Sequence, residues 1–233
     1  MIWVCDELGS LYANQGKLAE AEQMYQRALQ GKEMTLGAEH TSTLDTINNL
    51  GLLYSDQGKL AEAEQMFQRA LHGYEKALGA EHTSTLNTVN NLGLLYADQG
   101  KLAEAEQMFQ RALHGYEKAL GAEHTSILNT VNNLGNLYKG QGKLAEAEQM
   151  YQRALHGYEK TLSVDDAMTY IPALHTISNL GSLFIYQADL AKARIMYSKA
   201  LLGYEKAVGS NHLWPRSLRD KLRILDTVVE NKV

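Results

Sequence analysis

An all-α solenoid is the fold this sequence predicts, and three observations predict it. The 233-residue chain copies itself at a fixed interval, strong helix formers fill most of it, and glycines recur where one helix must end and another begin. Residues 56–84 recur without change at 98–126. Leu8, Leu50, Leu92 and Leu134 are spaced 42 residues apart and each is followed by glycine; Leu180-Gly181 comes 46 residues further on, so four residues are inserted before the last copy. Only 2 prolines interrupt the chain, and runs of alternating β-branched or aromatic residues are missing. Such an array grows by stacking one hairpin on the next and needs no single central core.

The third copy shows how one unit is built. Helix A is expected from about Thr85 to Asp98, with Val89, Leu92, Gly93 and Tyr96 on one face. Gln99-Gly100 ends it, because glycine readily takes the left-handed conformation that closes a helix. Helix B follows from about Leu102 to Leu120, with an apolar stripe of Leu102, Ala105, Phe109, Ala112, Leu113, Tyr116 and Leu120. Gly121 is placed to end helix B, and Thr125 or Ser126 to cap the next helix A. Gly93, Ala105 and Ala112 are small where the two backbones approach. One hairpin cannot bury its own stripe, so neighbouring copies must cover it.

The copies are expected at about 1–40, 41–82, 83–124, 125–170 and 171–212. The chain starts inside the first helix A without a capping residue, so either it is a fragment of a longer protein or its first helix frays. A last helix, about 215–230, begins at Pro215, carries Leu222, Leu225 and Val229 on one side and charges elsewhere, and reads as a solvating cap. Ser163 to Ile171 replaces the usual short loop before the fifth copy, and is expected either to alter the superhelical angle there or, in preference, to be only a longer surface loop.

The motif inside each copy resembles the tetratricopeptide consensus. Its positions are Leu92, Gly93, Tyr96, Ala105, Phe109 and Ala112 in the third copy, and Leu180, Gly181, Phe184, Ala193, Tyr197 and Ala200 in the fifth. The resemblance implies a right-handed α-solenoid of five helix–turn–helix repeats with a C-terminal capping helix. The 42-residue length, the Asn-Asn-Leu-Gly run and the Leu-Gly-Ala-Glu-His loop resemble the kinesin light chain type of repeat. That type also forms the C-terminal sensor region of fungal nucleotide-binding receptor-like proteins.

Composition and motifs argue against chemistry. Net charge is −5 without a basic face, which does not suit nucleic acid. No apolar stretch approaches the roughly 20 residues a membrane-spanning helix needs. The single cysteine, Cys5, cannot form an internal disulfide, and a cytoplasmic protein is expected. His40, His82 and His124 share one loop position, and His72, His114 and His156 one position on helix B. Equivalent positions stand one repeat apart, too far for a shared ion bound at about 2 Å. Gly58-Lys59, Gly100-Lys101 and Gly142-Lys143 lack the spacing and the Ser or Thr of a phosphate loop. No metal, no cofactor and no enzymatic activity are expected.

What remains is the face of helix A opposite its core side. Counting 100° per residue places Asn87, Asn90 and Asn91 there, with Asn48 and Asn49 in the second copy, Asn129, Asn132, Asn133 and Asn136 in the fourth, and Asn179 in the fifth. Asparagine is a mediocre helix former, so adjacent pairs in three successive copies need a reason. One reason is that each amide both donates and accepts and can pair with the backbone of an extended peptide. The resemblance to kinesin light chain repeats implies this use for Asn49, Asn91, Asn133 and Asn179. The other is that the amides bond to neighbouring helices, or face water, and were merely copied with the repeat.

The groove carries Asp6, Glu7, Asp45, Asp56 and Asp98, with Lys139 further along, so a basic or neutral segment is the favoured protein or peptide partner. A binding scaffold is therefore expected. The alternatives are a sensor region of a larger receptor-like ATPase and a self-assembling module; the chain itself is expected to be a monomer, or to self-associate weakly through its end repeats.

Overall fold

A computed structural model of the chain describes the backbone of residues 2–121 and 124–230, and side-chain surroundings within 4–121, 124–163 and 166–227. Residues 1–119 and 120–233 form two compact units. The first holds α1 (Ile2–Asn14), α2 (Leu18–Leu36), α3 (Thr41–Asp56), α4 (Leu60–Leu78), α5 (Thr83–Asp98) and α6 (Leu102–Leu120). The second holds α7 (Thr125–Gly140), α8 (Leu144–Thr161), the one-turn α9 (Val164–Ala167), α10 (Ile171–Tyr186), α11 (Leu190–Val208) and α12 (Leu213–Glu230). The chain is an all-α repeat solenoid, and the described residues include no strand.

Two glycines per copy set the architecture by different means. Gly100 has φ +75°, a conformation costly for other residues, and it turns the chain from α5 into α6. Gly93 has ordinary helical geometry but lies against a ring: a Cβ built there would stand 2.7 Å from Phe109 Cε1. That close approach sets the spacing of α5 and α6. In the fifth copy Ala188 stands in the left-handed position, with φ +59°. Next to it Asp189 replaces the usual lysine and its Oδ1 accepts the backbone N–H of Lys192 at 3.0 Å, a side-chain cap that Lys17, Lys59 and Lys143 do not supply.

Helix A starts earlier than Thr85, and its cap is a different residue from the one expected. The loop histidine, not the Thr or Ser after it, is the N-cap: Nδ1 of His40, His82 and His124 accepts the backbone N–H two residues on, at 3.2 Å each time. His212 does the same for Trp214 at 3.3 Å. This extends α5 back to Thr83 and α7 back to Thr125.

Burial on helix A is wider than a single face. In α5, Thr85, Leu86, Thr88 and Leu95 are buried along with Val89, Leu92 and Gly93, whereas Tyr96 is only half-buried. The cause is packing from two sides: α3 lies against both α2 and α4, and α10 against both α8 and α11. Helix B buries Ala105, Phe109, Ala112, Gly115 and Tyr116; Leu102, Leu113 and Leu120 stay half-buried. Gly115 belongs to this face because Leu86 of α5 inserts there, with Cδ2 2.4 Å from a hypothetical Cβ. At the C-terminus α12 packs on α11 through Leu218 and Leu225.

Candidate functional site

The candidate residues lie on the A helices α3 and α5 of the first unit and, taken separately, on α7 and α10 of the second. Asn48, Asn49, Asn90, Asn91, Asn132, Asn133, Asn136 and Asn179 are half-buried, while Asn87 and Asn129 are exposed. Their surroundings divide them into three sets.

Asn87 and Asn129 each accept a hydrogen bond from a buried tyrosine of their own hairpin. Tyr116 donates to Asn87 Oδ1, and Tyr158 to Asn129 Oδ1 at 2.6 Å. Asp45 accepts from Tyr74 at 2.5 Å in the same register, and His175 Nδ1 meets the Tyr204 hydroxyl at 2.7 Å. Burial pushes the Tyr116 phenol up to about 12. These helix A residues therefore satisfy a hydroxyl that burial would otherwise leave unpaired.

Asn136 belongs to a second kind of pair. It accepts from Tyr151 at 2.7 Å. In the second and third copies the partners at these positions are Phe67 and Phe109, and the residues at the place of Asn136 are Leu52 and Leu94. The buried phenol of the fourth copy thus meets an amide, where the second and third copies carry phenylalanine and leucine at the same two positions.

The adjacent pairs form the third set. Asn48 Oδ1 accepts from Thr88 Oγ1 at 3.2 Å and from Asn91 Nδ2 at 3.3 Å, so α3 and α5 are tied through the first asparagine of one copy and the second of the next. In the other unit Asn179 Nδ2 donates to Asn132 Oδ1 at 3.1 Å. Buried Thr88 is part of this ladder, and the helix A pattern gave no reason to place it there. Its signal was recurrence: Thr46, Thr88, Thr130 and Thr176 hold one position and are all buried.

At the first joint charge replaces amide. Asp6 stands where Asn48 does and accepts from Thr46 Oγ1 at 2.7 Å. It pairs with Lys32, which is 3 % exposed and occupies the position of Tyr74 and Tyr116. Lys32 Nζ also donates to Ser42 O at 3.0 Å and Thr46 Oγ1 at 2.9 Å. Asp6 is thereby neutralised within the fold; the exposed carboxylates of the first unit's A helices are Glu7, Asp45, Asp56 and Asp98. In the second unit, burial and then repulsion from Lys221 hold the half-buried Lys139 ammonium below its ordinary pKa.

Beside the amides the first unit exposes apolar surface. Leu52 is 41 % and Leu94 40 % exposed, one turn beyond Asn49 and Asn91. The Asn49 side chain makes no hydrogen bond among the described residues. The described residues also include no group of three or more His, Cys, Asp or Glu side chains arranged to hold a metal ion, and no described helix is long and apolar enough to cross a membrane. Lys101 of the Gly-Lys turn is engaged in the fold, 5.1 Å from the Tyr96 ring centre and 3.2 Å from Glu64 Oε2.

Comparison with known proteins gives one family. Tetratricopeptide repeat models match residues 2–76, 46–118 and 83–160, and a second tetratricopeptide repeat model matches 173–213. A search of curated proteins gave no match. Among solved structures, BtubC (BKLC) from P. vanneervenii is similar at 23% identity over 88% of this chain and 80% of that one, with a TM-score of 0.71. A putative kinesin light chain from Podosopora anserina, described as having nearly identical TPR-like repeats, is similar at 22% identity over 89% and 96% of the chains, with a TM-score of 0.68. NprR, in complex with its cognate peptide NprX, is similar at 18% identity over 97% and 60%, with a TM-score of 0.70. At these identities the likeness is one of fold.

Proposed function

Because the chain belongs to the tetratricopeptide repeat family, whose fold is typical of protein–protein interaction scaffolds, we propose that it holds an extended segment of another polypeptide against its A helices, as a kinesin light chain-like scaffold. The observation that carries this reading is the surface around Asn49 and Asn91. Asn49 has an unused amide, Asn91 spends one N–H on Asn48, and exposed Leu52 and Leu94 stand one turn away. An amide beside a leucine, recurring at repeat spacing, supplies a backbone-pairing group and an apolar contact for successive residues of a strand. Asn133 and Asn179 are the corresponding second asparagines of the other unit. The solved complex of NprR with its peptide supports the choice of a peptide as ligand. The exposed carboxylates Glu7, Asp45, Asp56 and Asp98 favour a basic or neutral segment.

The test is a peptide-array screen followed by titration of the best binder. A variant with Asn49→Ala and Leu52→Ser should bind at least about tenfold more weakly, as expected for losing about 1.4 kcal/mol. Unchanged affinity in this variant, with its melting temperature intact, removes the proposed groove.

A second reading, weak self-association through the end repeat, rests on Leu11. It holds the register of Leu53 and Leu95, which are 2 % and 1 % exposed, yet Leu11 is 50 % exposed. Light scattering across concentration should show a rising mass that Leu11→Glu abolishes; a constant mass rejects this reading.

A further inference from the structure

The joint before the fifth copy forms a partly open cavity of about 420 Å³, bounded by α8, the end of α9 and the segment after it, α10 and α11. Its walls are apolar: Leu155 and Tyr158 of α8, Met168 of the segment after α9, Leu174 and Ile177 of α10, and Leu202 of α11. This volume falls in the lower part of the range of about 300–1,000 Å³ typical of small-molecule sites. Three charged side chains, Glu159, Lys199 and Lys206, complete the lining.

The joints of the first unit show why the space exists. There an arginine of one B helix pairs with a glutamate of the B helix before it, Arg69 with Glu33 and Arg111 with Glu75. A lysine seven residues on reaches the loop glutamate just before the histidine cap, Lys76 to Glu39 and Lys118 to Glu81. Each regular joint is thus clasped twice.

Both clasps are altered at the fifth copy. Lys199 stands in the arginine position, and its Nζ lies 3.9 Å from Glu159 Oε1, the outer limit of an ion pair. Lys206 keeps the lysine position, but the residue before the cap, Tyr170, is Thr169 in place of glutamate. Among the described residues Lys206 has no ion-pair partner. Leu202 replaces the histidine of His72 and His114, which makes the middle of the α11 wall apolar. The inserted segment does not lie free as a surface loop. It forms α9 and brings Ala167 and Met168 into the wall, and a Cβ at Gly203 would stand 2.7 Å from Met168 O.

We propose that this cavity is a binding site for a small elongated amphiphile with one anionic end, a medium-chain carboxylate. The chain occupies the apolar interior and the carboxylate pairs with Lys206. Lys199, Leu202, Gly203 and Lys206 fall at helical intervals on one face of α11, so the ammonium groups stand at the two ends of an apolar strip. Glu159 offsets Lys199 at one end. The anion therefore belongs at the other, where the cation has no ion-pair partner among the described residues.

Calorimetric titration of the full chain with decanoate, decanol and decyltrimethylammonium tests this. Decanoate should bind saturably with one site per chain. The ammonium compound should bind roughly tenfold more weakly or worse, and decanol in between. Leu202→Arg and Lys206→Glu alter partly or fully exposed side chains, so both should keep the wild-type melting temperature; the first should abolish decanoate binding and the second weaken it roughly tenfold. Failure of decanoate to bind overturns the proposal. So does equal binding by both variants, which would place the ligand elsewhere, and so does equal affinity for carboxylate and ammonium heads.

Discussion

His82 illustrates how a residue that invites a chemical reading serves the backbone. Its Nδ1 takes the orphan N–H of Ser84 at the start of α5. His82→Ala should cost about 1 kcal/mol, as lost N-caps do, and His82→Asn should restore most of it, because asparagine caps as well. Chemical denaturation of the two variants against the wild type measures this; equal losses for Ala and Asn would reject the cap. Ala188 gives the opposite sign. Its φ of +59° places a Cβ where glycine elsewhere carries none, so Ala188→Gly should stabilise the chain by about 1 kcal/mol. The sequence signals differed in kind at these two sites. Glycine after glutamine announced the turn, because few residues tolerate that geometry. The histidine cap was hidden, because Thr and Ser next to it are commoner caps and nothing in the residue types says which of them begins the helix.

Between elements, the pairing of rings with helix A residues makes a sharper prediction. Tyr151 with Asn136, and Phe109 with Leu94, are the pairs that the fourth and third copies carry at the same two positions. Tyr151→Phe leaves the Asn136 amide without its donor, and Asn136→Leu leaves a buried phenol unpaired; each should cost about 1–2 kcal/mol. The double variant recreates the leucine–phenylalanine pair and should recover most of the loss, a coupling that a double-mutant cycle reads directly. Additive losses would show that the two side chains do not act as a pair. Thr88→Val, which keeps shape but drops the hydroxyl bonded to Asn48 at 3.2 Å, should cost about 1 kcal/mol. At this scale the helices themselves were legible, since the apolar period and the glycine stops coincide, and α6 spans the Leu102–Leu120 expected of it. The buried surface was only half legible. Counting one apolar face on helix A finds Val89 and Leu92 but misses Leu95 and Thr88, because a helix in a stack is covered by its own partner and by the preceding copy. The groove asparagines were recognised as requiring a reason, but several of the reasons lie inside the fold: Asn87, Asn129 and Asn136 answer to tyrosines.

The whole molecule responds to pH through those same tyrosines. Burial pushes Tyr116 from its ordinary 10.0 up to about 12 and shifts Tyr74, Tyr151, Tyr158 and Tyr204 in the same direction. A raised acid is neutral in the fold when it would already be ionised in the unfolded chain. Its contribution is therefore complete below about pH 10 and is lost as pH climbs through the folded value. Melting temperature should accordingly fall steeply above pH 10, and Tyr116→Phe should shallow that fall; an unaltered alkaline slope in the variant would exclude Tyr116 as a contributor. The repeat period carries its own expectation. Removing residues 57–98 deletes one full 42-residue interval and joins equivalent positions, so the shortened chain should fold with the same helicity per residue and melt several degrees lower. Loss of folding would mean that particular copies, rather than the stack, are required.

Identical segments raise a problem of address. With residues 56–84 repeated at 98–126, a hairpin emerging during folding finds equivalent docking partners that differ little in contact energy. The Lys32–Asp6–Thr46 cluster breaks that degeneracy. A buried ammonium is tolerable only beside Asp6, so the strand of copies is anchored at its first joint, and a hairpin docked one step out of place would strand a charge in an apolar seam. Uniformity makes the array easy to lengthen; a single misfit residue keeps it in order.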